Sequence, residues 1–144
     1  MPSGGAWIRG GASPAARLAA VHAVARGTLA FVFLWHGLVP KLLGPHPDEL
    51  ALLRDAGLSA GAAVRTVAIV GIAEVAYAIA LVVLWRVRVL PLVAAVAMLV
   101  ITPGLLIGSP RFIPAAFNPV TLNLATAALG IVAWLAGGAE RDAR

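Results

Sequence analysis

Apolar residues along this chain fall into four long runs, at about 15–39, 62–85, 89–107 and 119–136, separated by short polar stretches. Each run is about the ~20 residues that a helix needs to cross the hydrocarbon core of a bilayer. The polar stretch 40–61 carries a shorter pattern of its own. Pro47, Asp48 and Glu49 read as a helix start with acids in the first turn, Leu50, Leu53 and Leu58 supply an apolar side, and Gly57 marks the stop. This predicts a short amphipathic helix lying on the membrane surface. Arg86-Val87-Arg88 is a tight turn between the second and third runs, and Pro91 falls in the first turn of the third. Asn118 and Pro119 have the residue types of an N-cap and a first helical position, and Gly137-Gly138 is expected to end the fourth run. The expected fold is therefore all-α, a transmembrane four-helix bundle with a short amphipathic helix in the first loop. The expected domain layout is a disordered Gly/Ser/Pro-rich tail over 1–14, a membrane domain over 15–138 and a charged tail over 139–144.

Composition agrees with the pattern. The chain is 61% hydrophobic and 12% charged, with a mean hydropathy of +0.96, whereas soluble domains are nearer half apolar and about a quarter charged. One bundle uses all four runs and leaves no soluble domain. The net charge of +5 does not suggest nucleic-acid binding, because the arginines are spread over the ends of apolar runs and form no basic face. No cysteine occurs, which removes disulfides, thiolate metal sites and CxxC chemistry. The first run is too long for a cleavable signal peptide and has no A-x-A site before a polar mature chain. Ten of the eleven basic residues are arginine, and alanine is abundant, as in GC-rich bacterial genes. Arg9, Arg17, Arg86, Arg88, Arg141 and Arg144 fall on one side, against Lys41, Arg54, Arg65 and Arg111 on the other. The positive-inside rule then places both termini in the cytoplasm of a bacterial inner membrane.

Arg26 and Glu74 carry charges well inside the first and second apolar runs. A charge at the bilayer centre costs at least about 2.5–3.5 kcal/mol, so such residues are paired or functional. Counted from the expected inner ends, their depths differ by only about 3 Å at 1.5 Å per residue. An Arg26–Glu74 ion pair is therefore expected, or else a Glu74 that handles protons or a polar substrate group. His36 and Lys41 follow Trp35 at the outer end of the first run, where Gly37 permits close backbone approach and Pro40 is expected to stop the helix. Glu49, Asn118, Asn123 and Thr102 have similar depth. If their faces point inward, His36, Lys41, Glu49, Asn118 and Asn123 gather around an apolar pocket with a few polar groups, the usual form of a small-molecule site, and Glu74 is a further ligand-binding candidate. No metal-ligand spacing appears, since His22, His36 and His46 differ in depth. The proline-rich stretch 112–119 reads as a stiff loop capping the fourth run.

An arginine ahead of the first span, WHGLVPKLLGPHPDEL at its end, GIAEV in the second span and FNPVTLNLA at the start of the fourth recur in this order. In this combination the chain resembles the DoxX-like family of small four-span bacterial membrane proteins. The resemblance covers about 17–136 and implies a four-helix membrane bundle. It further implies membrane redox metabolism, since DoxX relatives have been linked to a thiosulfate–quinone oxidoreductase. The expected role is an accessory or binding subunit for a lipophilic, quinone-like molecule that is not covalently bound, alongside an oxidoreductase partner protein. The alternatives are a membrane enzyme using Glu74 and His36 as acid–base groups, or a purely structural membrane partner.

Overall fold

A computed structural model describes residues 13–115 and 118–142, with side chains described up to 138. The chain forms α1 (Pro14–Gly37), a π-helical turn (Leu38–Leu42), α2 (Pro47–Asp55), α3 (Ala60–Val83), α4 (Val89–Gly108), a 3-10 turn (Pro110–Phe112) and α5 (Pro119–Asp142), with no strand among the described residues. Four of these helices are long and apolar enough to cross a membrane, and α2 is the short helix of the first loop. The expected all-α bundle is what forms, and the chain is a multi-pass membrane protein.

Local chemistry explains most boundaries. Ser13 accepts from the Ala16 N–H and Pro14 occupies the first position of α1, so the helix starts inside the stretch expected to be a disordered tail. Residues 1–12 lie outside the described residues. His46 accepts from the Asp48 N–H at the start of α2, and Gly57, at φ 91°, supplies the left-handed residue that ends this segment. Asn118 Oδ1 accepts from the Thr121 N–H at 2.8 Å, which makes it the expected cap of α5.

Two expected stops are not stops. Pro40 does not end the first span: the chain continues through the π-turn, whose wider turn accommodates a residue without an N–H, and Leu43 N–H closes on Leu38 O at 2.8 Å. Gly137 and Gly138 do not end α5, which runs on to Asp142. They make room for neighbours instead. A Cβ on Gly137 would lie 2.5 Å from the His22 ring, and one on Gly138 would collide with the Arg88 guanidinium.

Packing runs α3–α1–α5–α4 around the bundle, and α2 lies across α3 and α4. Small residues make the close approaches. A Cβ on Gly37 would sit 2.6 Å from Gly71 O, and one on Gly130 would sit 2.5 Å from Pro91 O, so the two glycines set the α1–α3 and α4–α5 contacts. Ala63, Ala94, Ala95 and Ala133 are buried, whereas Val83, Val100 and Ile107 are 71%, 71% and 83% exposed. Small residues inside and branched apolar residues outside is the arrangement that lipid, rather than water, favours.

The ends of the bundle differ. At one end the start of α1, the 84–88 turn and the last turns of α5 come together. Arg26 is fully buried there. Its guanidinium donates to Leu81 O at 2.7 Å, Leu84 O at 2.8 Å and Val87 O at 3.1 Å, and lies 5.2 Å from the centre of the Trp85 ring. The last carbonyls of a helix have no partners within it, and a cation at that end is favoured by the dipole. Arg26 thus caps α3. His22 Nδ1 is 2.8 Å from Ala133 O and its ring meets the edge of Trp85.

The expected Arg26–Glu74 pair does not form. Arg26 aligns with Leu81, seven residues beyond Glu74, a separation of about 10 Å along the helix. The depth estimate fails because it takes the ends of the two spans as level, whereas the start of α1 runs on past the end of α3 at Val83 and Arg26 stands beside Leu81 and Leu84.

Candidate functional site

At the opposite end the Gly37–Gly71 contact brings the end of α1 directly against α3. Lys41 follows Gly37 by four residues and Glu74 follows Gly71 by three. The helices are antiparallel, and side chains tilt toward the N-terminus of their own helix, so Lys41 leans inward and Glu74 outward. They meet between the two helices: Lys41 Nζ is 3.0 Å from Glu74 Oε2. The π-turn carries Lys41 past Pro40 while keeping it on this face, and the side chain is 7% exposed.

Glu49 completes the group from above. It sits in the first turn of α2, and its Oε1 is 3.3 Å from the same Nζ. Lys41 also donates to His36 O at 3.4 Å. One ammonium is therefore shared by two partly buried carboxylates. Taking these charges out of water is costly and is offset only where partners are close.

These residues face a cavity of about 890 Å³ in this half of the bundle. Its apolar wall includes Phe33, Val67, Met98 and Leu105, and its polar groups include His36, Lys41, Glu49, Glu74, Asn118 and Asn123. The five residues expected to gather in a pocket and the separate candidate Glu74 thus line one space. Asn123 Nδ2 donates to Thr102 Oγ1 at 3.2 Å, and Thr102 donates to Met98 O at 2.6 Å. Asn118 is committed to its capping bonds, which leaves Asn123 the amide freer to meet a guest. No hydrogen bond reaches the His36 imidazole from the described residues.

Sequence reasoning missed the roof. α2 is tied down at both ends, by Glu49 to Lys41 and by Asp55, whose Oδ2 accepts from Ser109 Oγ at 2.9 Å and lies 2.8 Å from Arg111. The residues just ahead of the proline-rich stretch 112–119 therefore latch α2, through Ser109 and Arg111; residues 116–117 of that stretch lie outside the described residues. The Lys41–Glu74 pair was missed as well. Its signal was present in the two glycines, each about one turn from a charge.

A family model described as the DoxX-like family matches residues 30–131. No curated protein and no solved structure matches. The matched span contains Lys41, Glu49, Glu74 and the whole cavity lining, and it excludes His22 and Arg26.

Proposed function

The chain belongs to the DoxX-like family, and from that premise we propose that it is a binding or accessory subunit for a lipophilic molecule with a compact polar head, of the quinone-like class, in membrane redox metabolism. The observation that carries this reading is the Glu49–Lys41–Glu74 group set into the wall of a largely apolar cavity. Pockets of this size with a few convergent polar groups suit small ligands. In this reading Lys41, the His36 ring and the Asn123 amide donate to carbonyl oxygens of the head. The apolar walls hold its ring, and Glu49 and Glu74 hold Lys41 charged and in place. An oxidoreductase partner supplies or removes electrons. The protein sits in a bacterial inner membrane with both termini cytoplasmic and α2 on the outer face. Arginine bias supports that orientation.

Purification in mild detergent, followed by mass spectrometry of extracted small molecules, tests the reading. Wild type is expected to retain a quinone-like lipid, and Lys41→Met is expected to lose it. A wild-type protein that retains none, and that does not bind an added decyl-benzoquinone, would overturn the reading.

A further inference from the structure

A second, apolar cleft of about 260 Å³ lies between α2 and α4. It shares Leu52, Leu53, Ile101 and Leu105 with the main cavity, so the two spaces adjoin at these side chains. The rest of its wall is Ala56, Gly104, Gly108 and Ser109, residues with almost no side chain to fill it. A Cβ built on Gly104 or on Gly108 would meet nothing within 4 Å. These glycines are therefore not required for close packing, unlike Gly37, Gly71 and Gly130.

The surrounding helices also leave this side open. α3 and α4 are consecutive but do not pack along their length. They are joined at the capped end by Tyr77 O–H donating to Leu90 O and by the Ala78, Leu81 and Ala94 cluster. Toward the other end they part around the cavity, and α2 bridges them. Val70 on α3 and Ile101 on α4, at the edges of the gap, are 39% and 49% exposed.

We propose that the cleft between α2 and α4 is a tail channel, through which the apolar chain of a ligand whose head occupies the main cavity passes to the bilayer and by which that ligand is loaded sideways from lipid. The inference rests on the proposed binding function for the head, but the channel has a test of its own. Apolar contact in the cleft favours a long-chain amphiphile over the same head without a chain, because each methylene removed from water adds to binding. The latch of Asp55 on Ser109 and Arg111 keeps α2 over the channel.

The chain has no cysteine, so Leu52→Cys provides a single reporter at the junction of the two spaces. In vesicles of phosphatidylethanolamine and phosphatidylglycerol, a bilayer-dissolved N-dodecyl maleimide is expected to label it about tenfold or more faster than a sulfonated, water-soluble maleimide. Adding Gly104→Leu or Gly108→Leu is expected to slow the dodecyl reagent about tenfold by filling the cleft, while Gly27→Leu, at an open position on α1 away from the cleft, leaves the rate unchanged. Equal labelling by the two reagents, or an unaltered dodecyl rate in both cleft-filled variants, overturns the channel. Binding of a decyl-benzoquinone and of its tail-less methyl analogue separates the two claims. If the decyl form binds more tightly and Gly104→Leu removes that preference, both claims stand. If both quinones bind equally, the channel falls and the head site stands. If neither binds but the cleft-filled variants still block labelling, the quinone-like reading falls and the channel stands.

Discussion

The two ends of this bundle bury cations in opposite ways. At one end the buried Arg26 gives its guanidinium to three backbone carbonyls at the close of α3 and in the turn that follows, away from the cavity. At the other, Lys41 is held between two carboxylates beside an open cavity. Both residues are buried charges in apolar helices, the pattern that by default marks a functional site in a membrane protein. The partners separate them. An arginine bonded to the carbonyls at the end of a helix is a fastening, whereas a lysine shared by side chains at a cavity wall is available for binding. The boundaries of the family match fall the same way, with Lys41 inside and Arg26 outside.

The contrast can be broken most forcefully at Arg26. Arg26→Met removes three charge-assisted hydrogen bonds and frees the carbonyls they served, so a loss of about 3 kcal/mol or more in stability is expected. Thermal unfolding in detergent checks this, and the fraction still folded should bind ligand as wild type does. Gly37→Val comes next. Its side chain would enter the space of Gly71 O and the Glu74 Cβ, and overpacking of this kind costs about 1–3 kcal/mol. It should also part Lys41 from Glu74 and so weaken binding, which links register to site in a single variant.

A double-mutant cycle on Lys41→Met and Glu74→Gln sharpens the other side. Residues in contact couple by about 0.5–3 kcal/mol, so the double variant is expected to lose less stability than the two singles together. Strict additivity in unfolding measurements would deny the pair. The smallest effect is expected at the latch. Arg111 is 58% exposed, and exposed ion pairs contribute about 0–1 kcal/mol. Asp55→Asn should therefore shift the unfolding midpoint little, while speeding labelling of a cavity cysteine by a water-soluble maleimide.

Much of this was legible in the residues. Four apolar runs, the Pro47–Asp48 start of α2 and the Asn118–Pro119 start of α5 each report a local rule, and local rules carry over directly to the fold. Five of the residues that line the cavity were grouped by depth, because proline and loop positions place them at one end of the bundle, whereas Glu74 was marked only as a charge near the middle of a span. Partner identity was harder to read. It depends on the register between α1 and α3, which the Gly37–Gly71 contact sets and the length of an apolar run does not. An error of about two turns was enough to exchange Lys41 for Arg26 as the partner of Glu74. The π-turn was hidden for a similar reason: a proline near a helix end usually stops the helix, and only the bond across it shows that the helix went on. The roof contacts of Asp55 were illegible because Ser109 and Arg111 lie far away in sequence and meet it only once α2 has folded back over α4.

The most direct test of this division is the ligand bound per folded molecule, measured with decyl-benzoquinone on Glu74→Gln and Arg26→Gln at a temperature where both are folded. The account predicts that Glu74→Gln binds about tenfold or more weakly with a modest change in unfolding midpoint, and that Arg26→Gln binds as wild type does but unfolds far earlier. The reverse result, with Arg26→Gln folded but unable to bind and Glu74→Gln binding normally, would contradict it.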